Sequence, residues 1–193
     1  MPDDGLSFAS ERLLLRPMVA TDYSEWERAN QALKPPQDTF DTAPAQKNWI
    51  CPETFNSLLD SGESDRERGH TYHFLAFDKQ SQHLIGDSQL WSIQRGDCQR
   101  ATLGFSVLNT HWRQGYGFEI AKATLNYGIK SLQLNRIEAE IIPTHQASIA
   151  LCKKLGMQSE GIRRSALHTK GQWQDHCVYA LIASDLDTNE SLD

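Results

Sequence analysis

The sequence predicts a mixed α/β fold in one domain, a largely antiparallel sheet broken by a single strand–helix–strand crossover. Three observations carry this. Residues 70–108 hold three strand-like runs, "HTYHFLAFD", "HLIGDSQLWSIQ" and "RATLGFSVL", parted by the short polar turns "KQSQ" and "RGDCQ", the pattern of an antiparallel meander. The period then changes, with Phe118, Ala121, Leu125 and Leu132 recurring at helical spacing through 116–132. It changes back in "NRIEAEII" (135–142), where Ile137, Ala139 and Ile141 face one way and Glu138 and Glu140 the other.

The remaining elements follow in chain order. "SERLLLRPM" (10–18) reads as a first strand ended by Pro17. Thr21 and Asp22 can cap a helix through about Leu33, with Trp26, Ala29 and Leu33 on one side, and "KPPQD" stops it. A second helix is expected from Ala45 to Leu59, followed by a charged surface loop, "SGESDRERG", at 61–69. Beyond the strand at 135–142, "QASIALCKKLG" (146–156) forms another helix with Gly156 as its C-cap. "GIRRSALHT" and "QWQDHCVYALIAS", joined by "KG", make two closing strands, and the acidic tail "DLDTNESLD" frays.

With 193 residues, 39% hydrophobic and 23% charged, the chain suits one globular domain over 1–193, its core at about 7–184. A net charge of −6 argues against a general nucleic-acid binder, which needs a basic face. It suits a cationic or amine substrate better. No apolar run approaches the roughly 20 residues of a membrane span, and "MPDDGLSFASERLLLRP" lacks the pattern of a secretion signal. Cys51, Cys98, Cys152 and Cys177 lie far apart with no C-x-x-C pair, so they are expected as reduced, mostly buried thiols of a cytoplasmic protein. "HTYH" is not read as a metal site, because His70 and His73 face opposite sides of a strand. "GDSQL" is not the G-x-S-x-G elbow of an α/β-hydrolase.

The chemistry concentrates at "HWRQGYGF" (111–118). Gly115 and Gly117 stand between a strand and a helix, where bare N–H groups and the helix N-terminus can converge on an anion such as a pyrophosphate. Arg113 and Gln114 offer side-chain contacts to it. From the glycines alone, a connection using them for geometry reads equally well. There is no G-x-x-x-x-G-K-[ST], and Ile120 occupies the third glycine position of G-x-G-x-x-G.

What remains, Trp112-Arg113-Gln114-Gly115-Tyr116-Gly117, resembles the acetyl-CoA turn of the GNAT acetyltransferase superfamily, [Q/R]-x-x-G-x-[G/A], with Trp112 in place of the first Arg or Gln. "SERLLLRPM" resembles the opening strand of the branch that holds the ribosomal-protein N-terminal acetyltransferases. "THQASIALCKKLGMQSEG" is similar to that branch's signature N-x-x-S-x-x-x-x-x-K-x-G-F followed by E-G. Ser148, Lys154, Gly156, Glu160 and Gly161 agree with it, while His145 replaces Asn and Met157 replaces Phe. "KGQWQDHCVYAL" resembles the closing hairpin of the ribosomal-protein alanine acetyltransferases.

The resemblance implies a GNAT fold, a mostly antiparallel sheet of about seven strands flanked by about four helices. A splayed pair of parallel strands would hold acetyl-CoA as co-substrate, with no metal. The cofactor is expected at 107–118 and 145–152. Main-chain groups of Val107 and Leu108 in "GFSVL" would meet the pantetheine and polarise the thioester. Arg113, Gln114, Gly115, Tyr116, Gly117 and Phe118 would meet the pyrophosphate, and His145, Ser148 and Cys152 would contribute from the later helix. Ser148 stands where the family places a hydroxyl near the leaving sulfur; an ordinary helix-start serine is the plain alternative. His145 either replaces a cofactor-contacting asparagine or simply begins the helix.

The general base is less legible. Thr102 stands where many family members carry a carboxylate. Glu138 and Glu140 share a face that either points into the cleft or is salt-bridged, and His168 is a further candidate. Glu119 lies too early on its helix to reach the thioester. Trp49 and Phe55 are the candidates for acceptor contact. An α-amine with a pKa near 8 is neutral in roughly one molecule in ten at pH 7, against fewer than roughly one in a thousand for a lysine amine near 10.4. A site without a strong base therefore fits a protein N-terminus, such as that of a ribosomal protein. A small amine (polyamine, amino acid or aminoglycoside) is the alternative acceptor, and a non-catalytic acetyl-CoA-binding regulatory domain the alternative class. A monomer or a homodimer fits the sequence.

Overall fold

The structure, a computed structural model, describes residues 5–41, 49–169 and 171–189. In chain order it forms β1 (Phe8–Ala9), β2 (Leu13–Arg16), α1 (Tyr23–Gln31), α2 (Pro52–Glu67), β3 (Tyr72–Asp78), β4 (Leu84–Gln94) and β5 (Arg100–Val107). Then come α3 (Tyr116–Lys130), β6 (Arg136–Ile141), α4 (Gln146–Lys154), β7 (Gln158–Thr169), β8 (Gln172–Ile182) and α5 (Ala183–Asn189). The strands make one sheet in the order β1-β2-β3-β4-β5-β6-β8-β7. It is a mixed α/β fold. β1–β2, β2–β3, β6–β8 and β7–β8 pair antiparallel, and β5–β6, the strands on either side of α3, pair parallel. That ladder runs from Arg100↔Arg136 to Thr102↔Glu138, while β5 continues to Val107 and β6 to Ile141.

Several expectations are corrected. The eighth strand, β1, is only two residues long, too short for an alternation to reveal it. The charged run at 61–67 is not a loop but the second half of α2. A solvent-facing helical segment has no apolar period to announce it, and its end is held by an Asp65–Arg68 pair at 2.9 Å. α2 starts at Pro52, after an extended Cys51 with φ −146° and ψ 161°, the position at which proline's missing N–H loses no helical bond. The expected start at Ala45 falls in 42–48, outside the described residues. Part of the tail is not frayed: α5 runs to Asn189, and Asp185 Oδ2 accepts the Ile182 N–H at 3.1 Å. All four cysteines are free, but only Cys152 is buried. No helix of the described residues is long and apolar enough to cross a membrane.

The chain packs as two compact units, Met1–Gln89 with Phe105–Ala123, and Leu90–Gly104 with Thr124–Asp193. In the first, α1 and α2 lay Trp26, Ala29 and Phe55 on Leu75, Phe77 and Leu84, with Tyr23 and Leu108 packed alongside. Phe55 meets the rings of Tyr23 and Trp26 at 5.4 and 5.5 Å, contacts that add to the burial of their area. In the second, Leu125, Leu134, Ile137, Ala139 and Leu181 are buried. α4 ends at Lys154 with Leu155 as its C-cap, so Gly156, expected as the cap, stands one residue beyond it. Gly156 at φ +79° donates to Lys153 O at 3.1 Å, and Met157 N–H to Cys152 O at 3.0 Å.

Candidate active site

The site begins where β5 ends, in the first unit. Leu108 N–H donates to Ile85 O of β4 at 2.9 Å, and Leu108 O accepts the His111 N–H at 2.8 Å. Main-chain groups alternate sides along a strand, so those of Val107 point away from β4. The Val107 carbonyl accepts Trp112 Nε1 at 2.7 Å. Of the two residues expected at the pantetheine, Leu108 already has both main-chain groups engaged. Val107 presents its N–H away from β4. Trp112, the departure from the family pattern, thus tethers the turn to the strand.

The turn itself holds Arg113 at φ +62° and Gly115 at φ +84°. A Cβ on Gly115 would lie 3.5 Å from Arg12 Nη2, an ordinary contact, so it is the left-handed backbone rather than crowding that asks for glycine. Gly117 sits inside α3, so its role differs. The first helical bond is Glu119 N–H to Gly115 O at 3.2 Å. The N–H groups of Tyr116 and Gly117 precede it, at the positive end of the helix dipole. Arg113 and Gln114 are exposed beside them.

Arg12 braces this turn. Its N–H and Nε each donate to the Glu119 carboxylate at 2.7 Å, its Nη1 reaches Gln114 O at 3.1 Å, and its guanidinium lies 4.2 Å from the Tyr116 ring centroid. The Ser10 hydroxyl adds a bond to Glu119 at 2.6 Å. Burial alone would raise the Glu119 carboxyl, but the bonds from Ser10 and Arg12 outweigh it and hold it below the usual range. Glu119 is therefore a bracket for the turn.

The second unit carries the later candidates. His145 is the N-cap of α4, and Ser148 Oγ lies 3.0 Å from His145 Nδ1. Cys152, expected at the cofactor, is 0% exposed, and burial pushes its thiol up to about 11. No surface of it is open to a ligand. Glu138 sits in an ion-pair cluster, with Arg136 Nε at 2.8 Å, Arg163 Nη2 at 2.9 Å and Arg100 Nη1 at 3.5 Å. Burial works to raise its carboxyl, yet Arg136 and Arg163 hold it below the ordinary value. It is a salt-bridge hub rather than an available base. Glu140 pairs with Arg163 and faces His176 Nδ1 at 3.6 Å. Thr102 is buried opposite Glu138 in the ladder. His168 is exposed on the closing hairpin, its ring 5.1 Å from that of Trp173.

Of the two acceptor candidates, Phe55 is enclosed in the first unit's core and cannot touch a substrate. Trp49 is exposed, 5.5 Å from Trp26. The described residues hold no group of three or more His, Cys, Asp or Glu arranged for a metal. Sequence reasoning passed over a polar chain in the first unit. His73 Nε2 lies 3.0 Å from Asp87 Oδ2, and the Ser106 hydroxyl donates to Asp87 Oδ1. These residues are too far apart in sequence to form a motif, and only the sheet joins them.

A family model described as an acetyltransferase (GNAT) domain matches residues 12–158. The chain belongs to the GNAT acetyltransferases. This GNAT chain is 34% identical over 119 residues to a probable N-acetyltransferase of Bacillus subtilis, covering 62% of this chain and 66% of that one, just under two thirds of its length. It is 25% identical over 177 residues to the ribosomal protein uS5-alanine N-acetyltransferase of Escherichia coli, covering 91% of this chain and 90% of that one. Among solved structures, Mycobacterium smegmatis RimJ in complex with CoA-disulfide superposes with a TM-score of 0.76 at 22% identity, over 90% of this chain and 83% of that one. At that identity the likeness speaks for the GNAT fold.

Proposed function

We propose that this GNAT enzyme transfers acetyl from acetyl-CoA directly to the α-amine of a protein N-terminus, a ribosomal protein being the first candidate. The reading rests on the match to the Escherichia coli uS5-alanine enzyme, which runs along 91% of this chain. In this reading the N–H groups of Tyr116 and Gly117 take the pyrophosphate, helped by Arg113. The Val107 N–H stabilises the thioester oxygen as charge develops on it. By the family resemblance alone, Ser148 is the candidate hydroxyl for the departing sulfur. No covalent enzyme intermediate is needed, because a neutral amine attacks a thioester directly. The cytoplasm is the compartment in which acetyl-CoA and nascent N-termini meet.

Gly115→Val is expected to weaken acetyl-CoA binding about 10- to 100-fold by removing one or more donors from the phosphate. The fold should survive with a lowered urea midpoint, since the new side chain has room but a left-handed backbone strains a β-branched residue. Calorimetric titration with acetyl-CoA beside a urea unfolding curve checks both halves.

The decisive experiment is CoA thiol release from acetyl-CoA with two acceptor panels, peptides copying ribosomal-protein N-termini and, separately, polyamines with aminoglycosides. Turnover with peptides alone supports the reading. Turnover with small amines alone moves the function to metabolite or drug modification. Acetyl-CoA binding without turnover on either panel replaces the enzyme with a regulatory binding domain.

A further inference from the structure

His73 on β3, Asp87 on β4 and Ser106 on β5 lie on consecutive strands of the sheet and join in one hydrogen-bonded chain. An ionised carboxylate only accepts hydrogen bonds, so Asp87 requires the proton of His73 on Nε2. In the neutral ring the lone pair is then on Nδ1, for which no partner is found among the described residues. The imidazole side chain is 38% exposed. A partly exposed imidazole with one nitrogen held by a carboxylate has the arrangement of a proton acceptor at the other. The chain also lies on a definite face. His73 shares its side of β3 with Leu75 and Phe77, and Ser106 stands two residues before Leu108, which follows the end of β5. Leu75, Phe77 and Leu108 all pack against the Trp26–Phe55 cluster, so the polar chain continues that apolar face. Ser106 immediately precedes Val107, whose N–H is the proposed oxyanion donor.

We propose that the His73–Asp87–Ser106 chain is the amine-receiving site of this acetyltransferase, with His73 as proton acceptor and Asp87 and Ser106 as the residues that position it. The ammonium is drawn to the Asp87 carboxylate and gives one proton to His73 Nδ1, directly or through one water. The neutral amine attacks the thioester carbonyl, forming the C–N bond, and the C–S bond breaks. The second nitrogen-bound proton passes to the CoA thiolate, and His73 returns its proton to solvent. The exposed imidazole supplies the base that neither Thr102 nor Glu138 provides.

This inference rests on the acetyltransferase reading above, and the test separates their failures. The full chain and its His73→Ala and Asp87→Asn variants are assayed with acetyl-CoA and an alanine-initiated peptide, then with spermidine. Acetyl-CoA affinity and the urea midpoint are measured alongside. His73→Ala is expected to lower kcat about 100-fold with acetyl-CoA affinity unchanged, and added imidazole should restore part of the rate. Asp87→Asn should lower kcat and raise the KM for the amine, again without touching acetyl-CoA affinity. A wild type that turns over beside a His73→Ala variant equally active, or inactive only because acetyl-CoA binding or folding is lost while Asp87→Asn turns over normally, overturns the inference and leaves the acetyltransferase reading intact. A wild type that binds acetyl-CoA yet acetylates neither probe overturns both.

Discussion

Replacing Gly86 with alanine is expected to destabilise the protein by about 3 kcal/mol and to remove most of its acetyl-transfer rate. A Cβ at this position on β4 would overlap the Ser106 carbonyl oxygen and come within 3.0 Å of Val107 Cα. Both belong to the backbone of β5, which cannot swing aside as a flexible side-chain end can. The strands must part locally, drawing Leu108 N–H away from Ile85 O and turning the Val107 N–H. Gly62, inside α2 with nothing within 4 Å of its virtual Cβ, is the contrast. Alanine there should raise stability by up to about 1 kcal/mol through helix propensity alone. Urea midpoints and the acetyl-transfer rate check the pair. A Gly86→Ala variant with wild-type values would mean that β4 and β5 do not approach this closely.

Glu138→Gln is expected to lower stability by about 2 kcal/mol. Removing one partner of a buried ion pair typically costs about 3–5 kcal/mol. Here the side chains of Arg136, Arg163 and Arg100 are 24%, 45% and 40% exposed, so water can take back part of their charge. The pH dependence follows from the sign of the shift. Glu138 has a folded pKa below its ordinary 4.5, as have Glu25, Glu119 and Glu160. Such a group binds fewer protons folded than unfolded, so its stabilisation is complete above about 4.5 and is lost as pH falls through the folded value. The wild-type melting temperature should therefore drop steeply below about pH 4.5. The Gln variant should start lower and fall less steeply, the other three carboxylates still contributing. Parallel melting curves from pH 7 to 3 decide it, and identical slopes would mean that Glu138 is not held by its arginines.

The motif resemblance singled out the turn at 112–117 because its signal is local. Glycine at a left-handed φ, a helix start and a neighbouring arginine all fall within six residues. The order of strands and helices was legible for the same reason, since one-sided burial imposes a period on each element. Where burial is absent or short, the period vanishes, and so the outer half of α2, the two-residue β1 and the helical Ala183–Asn189 went unread.

What the sequence by itself determined is the mixed fold, the crossover and the family. Side-chain partnerships were decided by tertiary structure alone. Phe55 and Cys152 look like site residues in one dimension but are closed into the interior, and Glu138 looks like a base but is claimed by arginines. The reverse holds for Arg12, Trp112 and the His73–Asp87–Ser106 chain. Each acts on a partner brought to it by strand pairing or by a returning turn, and no spacing in the sequence carries that distance. Local patterns record which face of an element is buried, while a site is made by groups that meet only once the sheet has formed.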